Sequence, residues 1–99
     1  MQSLTVLADP TRQQILTMLA KGALSSGDIA RRFEMTPPAI SQHLKTLREA
    51  KLVKVRAEAQ KRFYELDPEG ISEVADWVND LRKFWTVKLD ALEAELMKP

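Results

Sequence analysis

At 99 residues, 44% of them hydrophobic and 29% charged, the chain has room for a single domain over residues 1–99, with the composition of a soluble globular protein. No apolar run approaches the roughly 18 residues that span a bilayer, the opening MQSLTVLADP lacks the basic start and apolar core of a signal peptide, and the absence of cysteine excludes disulfides, thiolate metal sites and thiol switches. A net charge of +1 conceals a polarised distribution: residues 31–62 hold nine Lys/Arg against three acids, and the remainder six against eleven. A basic block between acidic flanks is the electrostatic footprint of nucleic-acid binding; no membrane partner is expected, and residence in the cytoplasm is.

Taken in chain order, Leu4 and Leu7 mark a short helical lead-in. Asp9-Pro10 then opens the first clear helix, with Asp as N-cap and Pro at a tolerated first position. Ile15, Leu16 and Leu19 form its apolar stripe and Gly22 ends it. Ser25 caps the next helix, with Asp28 three residues on in a variant of the capping box, and Ile29, Ala30 and Phe33 facing inward. Thr36 is a further cap, followed by Pro37 and Pro38 in a first turn where missing N–H groups cost little, and this helix runs to about Ala50. Residues 52–56 and 62–66 alternate apolar and polar, as paired strands do, with a wing spanning about 52–66. Asp67-Pro68-Glu69-Gly70 reads as a break. From about 71 to 97 no Gly or Pro interrupts a long helix. The expected fold is mainly α with a two-stranded β-hairpin wing, in the order of a winged helix-turn-helix.

Residues 25–50 read as two helices of about ten and fourteen residues joined by a turn of three or four, the shape of a helix-turn-helix whose second helix enters the major groove. At about 100° per residue, Ile40, Leu44 and Leu47 fall on one side of that second helix. Pro38, Ser41, Gln42, Lys45, Arg48 and Glu49 fall on the other. Ser and Gln address base edges, Gln being suited to adenine, and Lys45 and Arg48 reach guanine or phosphate. Thr36 and Arg32 complete the set near the turn. His43 sits at the edge of the apolar stripe, hydrogen-bonded to backbone or near a phosphate; as the single histidine it has no partner for a His-rich metal or catalytic site, and no metal or cofactor is expected. Arg56, Lys61 and Arg62 cluster near the wing tip, where long cations straddle phosphates or enter the minor groove, although cations on a hairpin also discourage edge-to-edge aggregation.

Three motifs carry a resemblance to a known family. Leu7-Ala8-Asp9-Pro10-Thr11-Arg12, followed by Ile15-Leu16 and Leu19, is similar to the LADPTRxxIL opening of ArsR/SmtB regulators. Ile40-Ser41-Gln42-His43-Leu44-Lys45-Thr46-Leu47 resembles the family's SxHLxxL recognition helix. Ala50-Lys51-Leu52-Val53 and Arg62-Phe63-Tyr64-Glu65-Leu66 look like its wing. The match covers about residues 4–70 and implies a homodimeric repressor on an operator of two-fold symmetry. Two departures are specific: residues 23–30 lack the cysteines of metal-sensing members, and the last helix has no histidine for the Asp/His zinc sites of others, carboxylates alone being poor selective ligands for zinc. Lys51 also stands where members often carry Gly, and no glycine marks the wing tip.

On the terminal helix Val74, Val78, Leu81, Trp85, Leu89, Leu92 and Leu96 recur at three- and four-residue steps, widened by Trp77, Phe84 and Val87. About 27 residues would extend ~40 Å, beyond the reach of the small core, so a dimer interface of Leu4, Leu7, Val78, Leu81, Trp85, Leu89, Leu92 and Leu96 is expected. The expected function is binding of a palindromic operator in double-stranded DNA by a homodimer. A winged helix used for protein–protein contact is the alternative, and a regulator answering a non-thiolate ligand is another; the identity of any effector is not legible. No Ser/His/Asp set or Gly-rich phosphate loop favours an enzyme.

Overall fold

The computed structural model describes residues 2–98, in the order α1 (Gln2–Leu7), α2 (Pro10–Leu19), β1 (Leu24–Ser25), α3 (Ser26–Arg31), α4 (Pro37–Glu49), β2 (Val53–Glu58), β3 (Lys61–Leu66) and α5 (Pro68–Leu96). The predicted caps form as local hydrogen bonds. Asp9 accepts from the backbone N–H of Arg12 at 3.1 Å, Ser25 from Asp28 at 3.1 Å and Thr36 from Ala39 at 3.3 Å; Asp67, read from the sequence as part of a break, accepts from Glu69 at 3.0 Å as a fourth cap. Each pairs one of the N–H groups that a helix start leaves open. The α1–α2 corner closes in the other direction: Arg12 Nε donates to the carbonyl of Val6 (2.7 Å) and Gln13 Nε2 to that of Leu7 (2.6 Å). Side chains of α2 thereby satisfy the last carbonyls of α1, which gives the Asp-Pro-Thr-Arg run a structural purpose at both helix ends.

The core is one cluster of Ile15, Leu19, Ile29, Ile40, Leu44, Leu47, Ala50, Leu52, Val53 and Tyr64. Leu7, Leu16, Ala30, Phe33, Ile71 and Val74 pack half-buried around it. Helix α4 buries Ile40, Leu44 and Leu47, the stripe its spacing predicts. It ends in a Schellman motif: the N–H of Leu52 bonds to the carbonyl of Leu47 at 3.0 Å and that of Lys51 to Arg48 at 3.0 Å. Leu47 and Leu52, both fully buried, make the apolar contact that accompanies this motif. Lys51 occupies its left-handed position with φ 62°, where glycine meets no Cβ clash.

Four boundaries differ from the sequence reading. Helix α3 has six residues rather than about ten, because its end tightens into i→i+3 bonds (Arg32 N–H to Ile29, Phe33 N–H to Ala30) that turn Phe33 toward the core. A third strand joins the sheet, whose order is β1-β3-β2, with Leu24 opposite Tyr64 and Ser25 opposite Phe63; two residues are too few to show an alternation. The hairpin strands run to a two-residue turn at Ala59-Gln60, with Ala59 at φ 57°. This positive φ falls at the first loop position, where a type II′ turn takes glycine. Finally, α5 begins at Pro68 and not near 71, since the Asp-Pro-Glu-Gly stretch is a cap plus a first helical turn.

That first turn sits directly against the end of α4. Gly70 is buried and its N–H bonds to the carbonyl of Lys51 at 3.0 Å, while Asp67 N–H bonds to Leu52 at 2.9 Å. A Cβ on Gly70 would overlap the Lys51 carbonyl and lie 3.1 Å from that of Ala50. Glycine is thus needed here for close approach of two backbones. From this anchor α5 runs 29 residues, about 43 Å, and gives the molecule its 69 Å long axis against 26 and 23 Å across. Beyond Val74 every described residue of α5 is exposed. No helix among the described residues is long and apolar enough to cross a membrane.

Candidate nucleic-acid interface

Helix α4 and the wing present the face that the sequence marks as basic. Pro38, Ser41, Gln42, Lys45 and Arg48 are exposed on the side of α4 opposite its buried stripe. None of Lys45, Arg48, Arg32 or Arg62 forms an ion pair among the described residues. Thr36 is exposed, and its hydroxyl serves as the cap of α4. The helix is held by three core residues and a capped double-proline start and turns outward small hydrogen-bonding groups and cations, the residue types that read base edges and phosphates.

His43 is half-buried, and its Nδ1 is buried without a hydrogen-bond partner among the described residues. Of the two expectations for His43, a backbone hydrogen bond or a place near a phosphate, the first is not met at this nitrogen. The Asp9 carboxylate is held below its ordinary value chiefly by the Arg12 backbone N–H, with Thr11, Arg12 and His43 contributing. His43 thus packs where α4 meets the start of α2.

The wing splits its cations between two faces. Val53, Val55 and Ala57 pair with Leu66, Tyr64 and Arg62 on the core side, whereas Lys54, Arg56 and Glu58 pair with Glu65, Phe63 and Lys61 on the outer side. Arg56 is not a bare cation: it pairs with Glu58, lies 3.9 Å from Glu65 and stacks 5.2 Å from the centre of the Phe63 ring. Lys61 and Arg62 line a concavity of about 340 Å³ with Gln60, Ser25, Ser26, Gly27 and Arg31. Strand β1 creates it by bringing the start of α3 beside β3. Arg31 pairs with Asp28, whose carboxyl is held below the usual range first by the Ser25 hydroxyl and then by Arg31.

Ser26, Gln60 and Arg31, which the sequence reading did not single out, stand at this concavity beside Lys61 and Arg62. Arg32 lines a separate cleft against α2 with Gln13, Gln14, Thr17, Met18 and Phe33. Adjacent positions on a helix point about 100° apart, so Arg31 neighbours the wing while Arg32 faces the α2 side. Among the described residues no three His, Asp or Glu side chains are grouped as metal ligands would be.

A second exposed surface lies on α5. Trp77, Val78 and Leu81 are each 40% exposed, and Phe84, Trp85, Val87, Leu89, Leu92 and Leu96 range from 53% to 76%. Leu4 on α1 is also exposed, whereas Leu7 is half-buried against the domain's own core. Phe84 and Trp85 meet edge to face at 5.7 Å.

Helix-turn-helix, three-stranded sheet with a projecting hairpin and long terminal helix together define a winged helix-turn-helix protein. Residues 9–55 match the family described as bacterial regulatory protein, arsR family. The chain is 45% identical over 80 residues to the HTH-type transcriptional regulator Rv2034 of Mycobacterium tuberculosis, covering 81% of this chain and 72% of that protein. It is 33% identical over 72 residues to the transcriptional repressor SdpR of Bacillus subtilis, covering 73% and 80%. The crystal structure of a possible transcriptional regulator for arsenical resistance superposes with a TM-score of 0.76 at 35% identity, covering 99% of each chain. The chain belongs to the ArsR family. It is a DNA-binding transcriptional regulator and not an enzyme.

Proposed function

We propose that the protein is a homodimeric repressor that occupies a palindromic operator and occludes the promoter. The observation that carries this reading is the pairing of two unpartnered surfaces: a polar, basic face on α4 and the wing, and an apolar face along α5. Large aromatic and aliphatic side chains on an exposed helix are the composition of a subunit interface core, and contiguous apolar patches of this extent are rare on monomers. Two copies joined through Val78, Leu81, Trp85, Leu89, Leu92 and Leu96, with Leu4 and Leu7 from α1, carry two reading heads to half-sites about 34 Å apart.

In this reading Pro38, Ser41, Gln42 and Lys45 face bases, with His43 at the rim of the same helix. Thr36, Arg32, Arg48, Arg56, Lys61 and Arg62 stand at or near phosphates. A chain without cysteine is not switched by thiolate coordination of a metal, and reading an operator sets its work in the cytoplasm. The outer face of α4, polar and basic rather than apolar or acidic, speaks against a winged helix used only for protein contact. Gln42→Ala relaxes sequence preference, and Arg62→Ala weakens binding to all sequences and lowers the salt slope by about 1. Gel-shift titration of both variants tests the assignment; unaltered binding by both would refute it.

A further inference from the structure

The wing carries cations on two faces, but its ion-paired acids stand on one. On the core side Arg62 lies opposite Ala57 and has no ion pair among the described residues. On the outer side Glu58, the last residue of β2, pairs with Arg56 and lies directly opposite Lys61 in the strand register. One carboxylate therefore stands between Arg56 and Lys61, the two outer-face cations nearest the tip. Phe63 and Glu65 hold the Arg56 guanidinium from beneath, so it stays on the outer face whether or not Glu58 is charged.

We propose that Glu58 is an electrostatic counterweight that sets how strongly the wing grips the DNA backbone; the proposal rests on reading the wing as a DNA contact. A phosphate approaching Arg56 competes with Glu58 for the guanidinium, and it is repelled by the carboxylate at distances within a Debye length. The Arg56 and Glu58 side chains are 48% and 64% exposed. Such pairs hold the fold together only weakly, so the carboxylate acts on affinity and not on stability. Because backbone contacts carry no direct sequence information, the counterweight lowers binding to every sequence alike and leaves preference to α4.

Glu58→Gln keeps the size of the side chain and removes its charge. The measurement is fluorescence anisotropy with short duplex DNA of arbitrary sequence and with a duplex selected for tight binding, across a salt series. Expected is an affinity gain of about two- to five-fold per wing, a log–log salt slope steeper by about 0.9 per wing, an unchanged ratio between the two duplexes and an unchanged Tm. The gain shrinks when Arg56→Ala is already present. Unchanged or weaker binding, or a gain undiminished by Arg56→Ala, overturns the proposal. Arg62→Ala separates the levels: if it weakens binding while Glu58→Gln changes nothing, the wing contact stands and the counterweight fails. If Arg62→Ala also leaves binding intact, the wing reading fails and the counterweight with it.

Discussion

Gly70→Ala adds one methyl group where the first turn of α5 crosses the end of α4. The added Cβ would overlap the Lys51 carbonyl and stand 3.1 Å from that of Ala50, and both obstacles are backbone, so neither can rotate away. Relief requires α5 to back off, which stretches the 3.0 Å hydrogen bond from Gly70 N–H to Lys51. Overpacking of this kind costs about 1–3 kcal/mol and a weakened hydrogen bond about 1 kcal/mol. Replacing helical glycine by alanine returns about 0.5–1 kcal/mol. The net loss is about 2 kcal/mol, or a fall in Tm of roughly 8–16 °C for a domain of this size. Gly27→Ala is the matched control: it is helical and exposed, and its nearest neighbours to an added Cβ are side-chain atoms at 3.9 and 4.0 Å. That variant gains stability, by about 0.5 kcal/mol. Thermal unfolding by circular dichroism at one fixed protein concentration, since self-association shifts Tm, reads both. A Gly70→Ala protein melting within 2 °C of the parent, on the order of the smallest shift worth interpreting, would refute the close approach of the two backbones.

Other substitutions probe different levels. Lys51→Gly relieves a left-handed residue at the Schellman position and raises stability by about 0.5–1 kcal/mol, the relief being partly offset by unfolded-state entropy; chemical denaturation checks it, and a loss would contradict the strain argument. Leu44→Ala empties a buried site of the recognition helix and costs about 2–5 kcal/mol, measured in the same way. Asp9 is held below its ordinary carboxyl value by the Arg12 N–H, so the stability it contributes is present above the unfolded value of about 3.9 and is lost as pH falls through the lower folded value. The Tm advantage of the parent over Asp9→Asn therefore narrows between pH 6 and about pH 3, and a gap constant over that range would contradict the assignment. Trp85→Glu places a charge in the proposed interface; sedimentation is expected to show a monomer at concentrations where the parent is a dimer, with operator binding weakened in parallel, while an unshifted mass would count against dimerisation through α5.

Elements whose cause is local were legible from residues alone. Asp9, Ser25 and Thr36 each act over three residues, and the Ile40, Leu44, Leu47 stripe follows from helical period. What could not be read depends on contacts distant in sequence. Gly70 looks like a helix breaker until Lys51 is seen against it, and β1 is two residues whose strand character comes wholly from pairing with Tyr64 and Phe63. Lys51 and the glycine-free wing tip were visible as departures from the family pattern. The structure gives them physical content, as left-handed φ at Lys51 and Ala59. In the site, the outward face of α4 was legible because periodicity fixes it. The partners of Arg56 were not, because Glu65 reaches it only through the register of the hairpin.

The account turns on a dimeric reader of symmetric DNA, and selection of bound duplexes from a random pool tests that most directly. A palindromic consensus with half-sites one helical turn apart, about 34 Å, is the predicted result, relaxed in Gln42→Ala and kept at lower affinity in Arg62→Ala. Recovery of no consensus, or of a single asymmetric site bound by one chain, would contradict it.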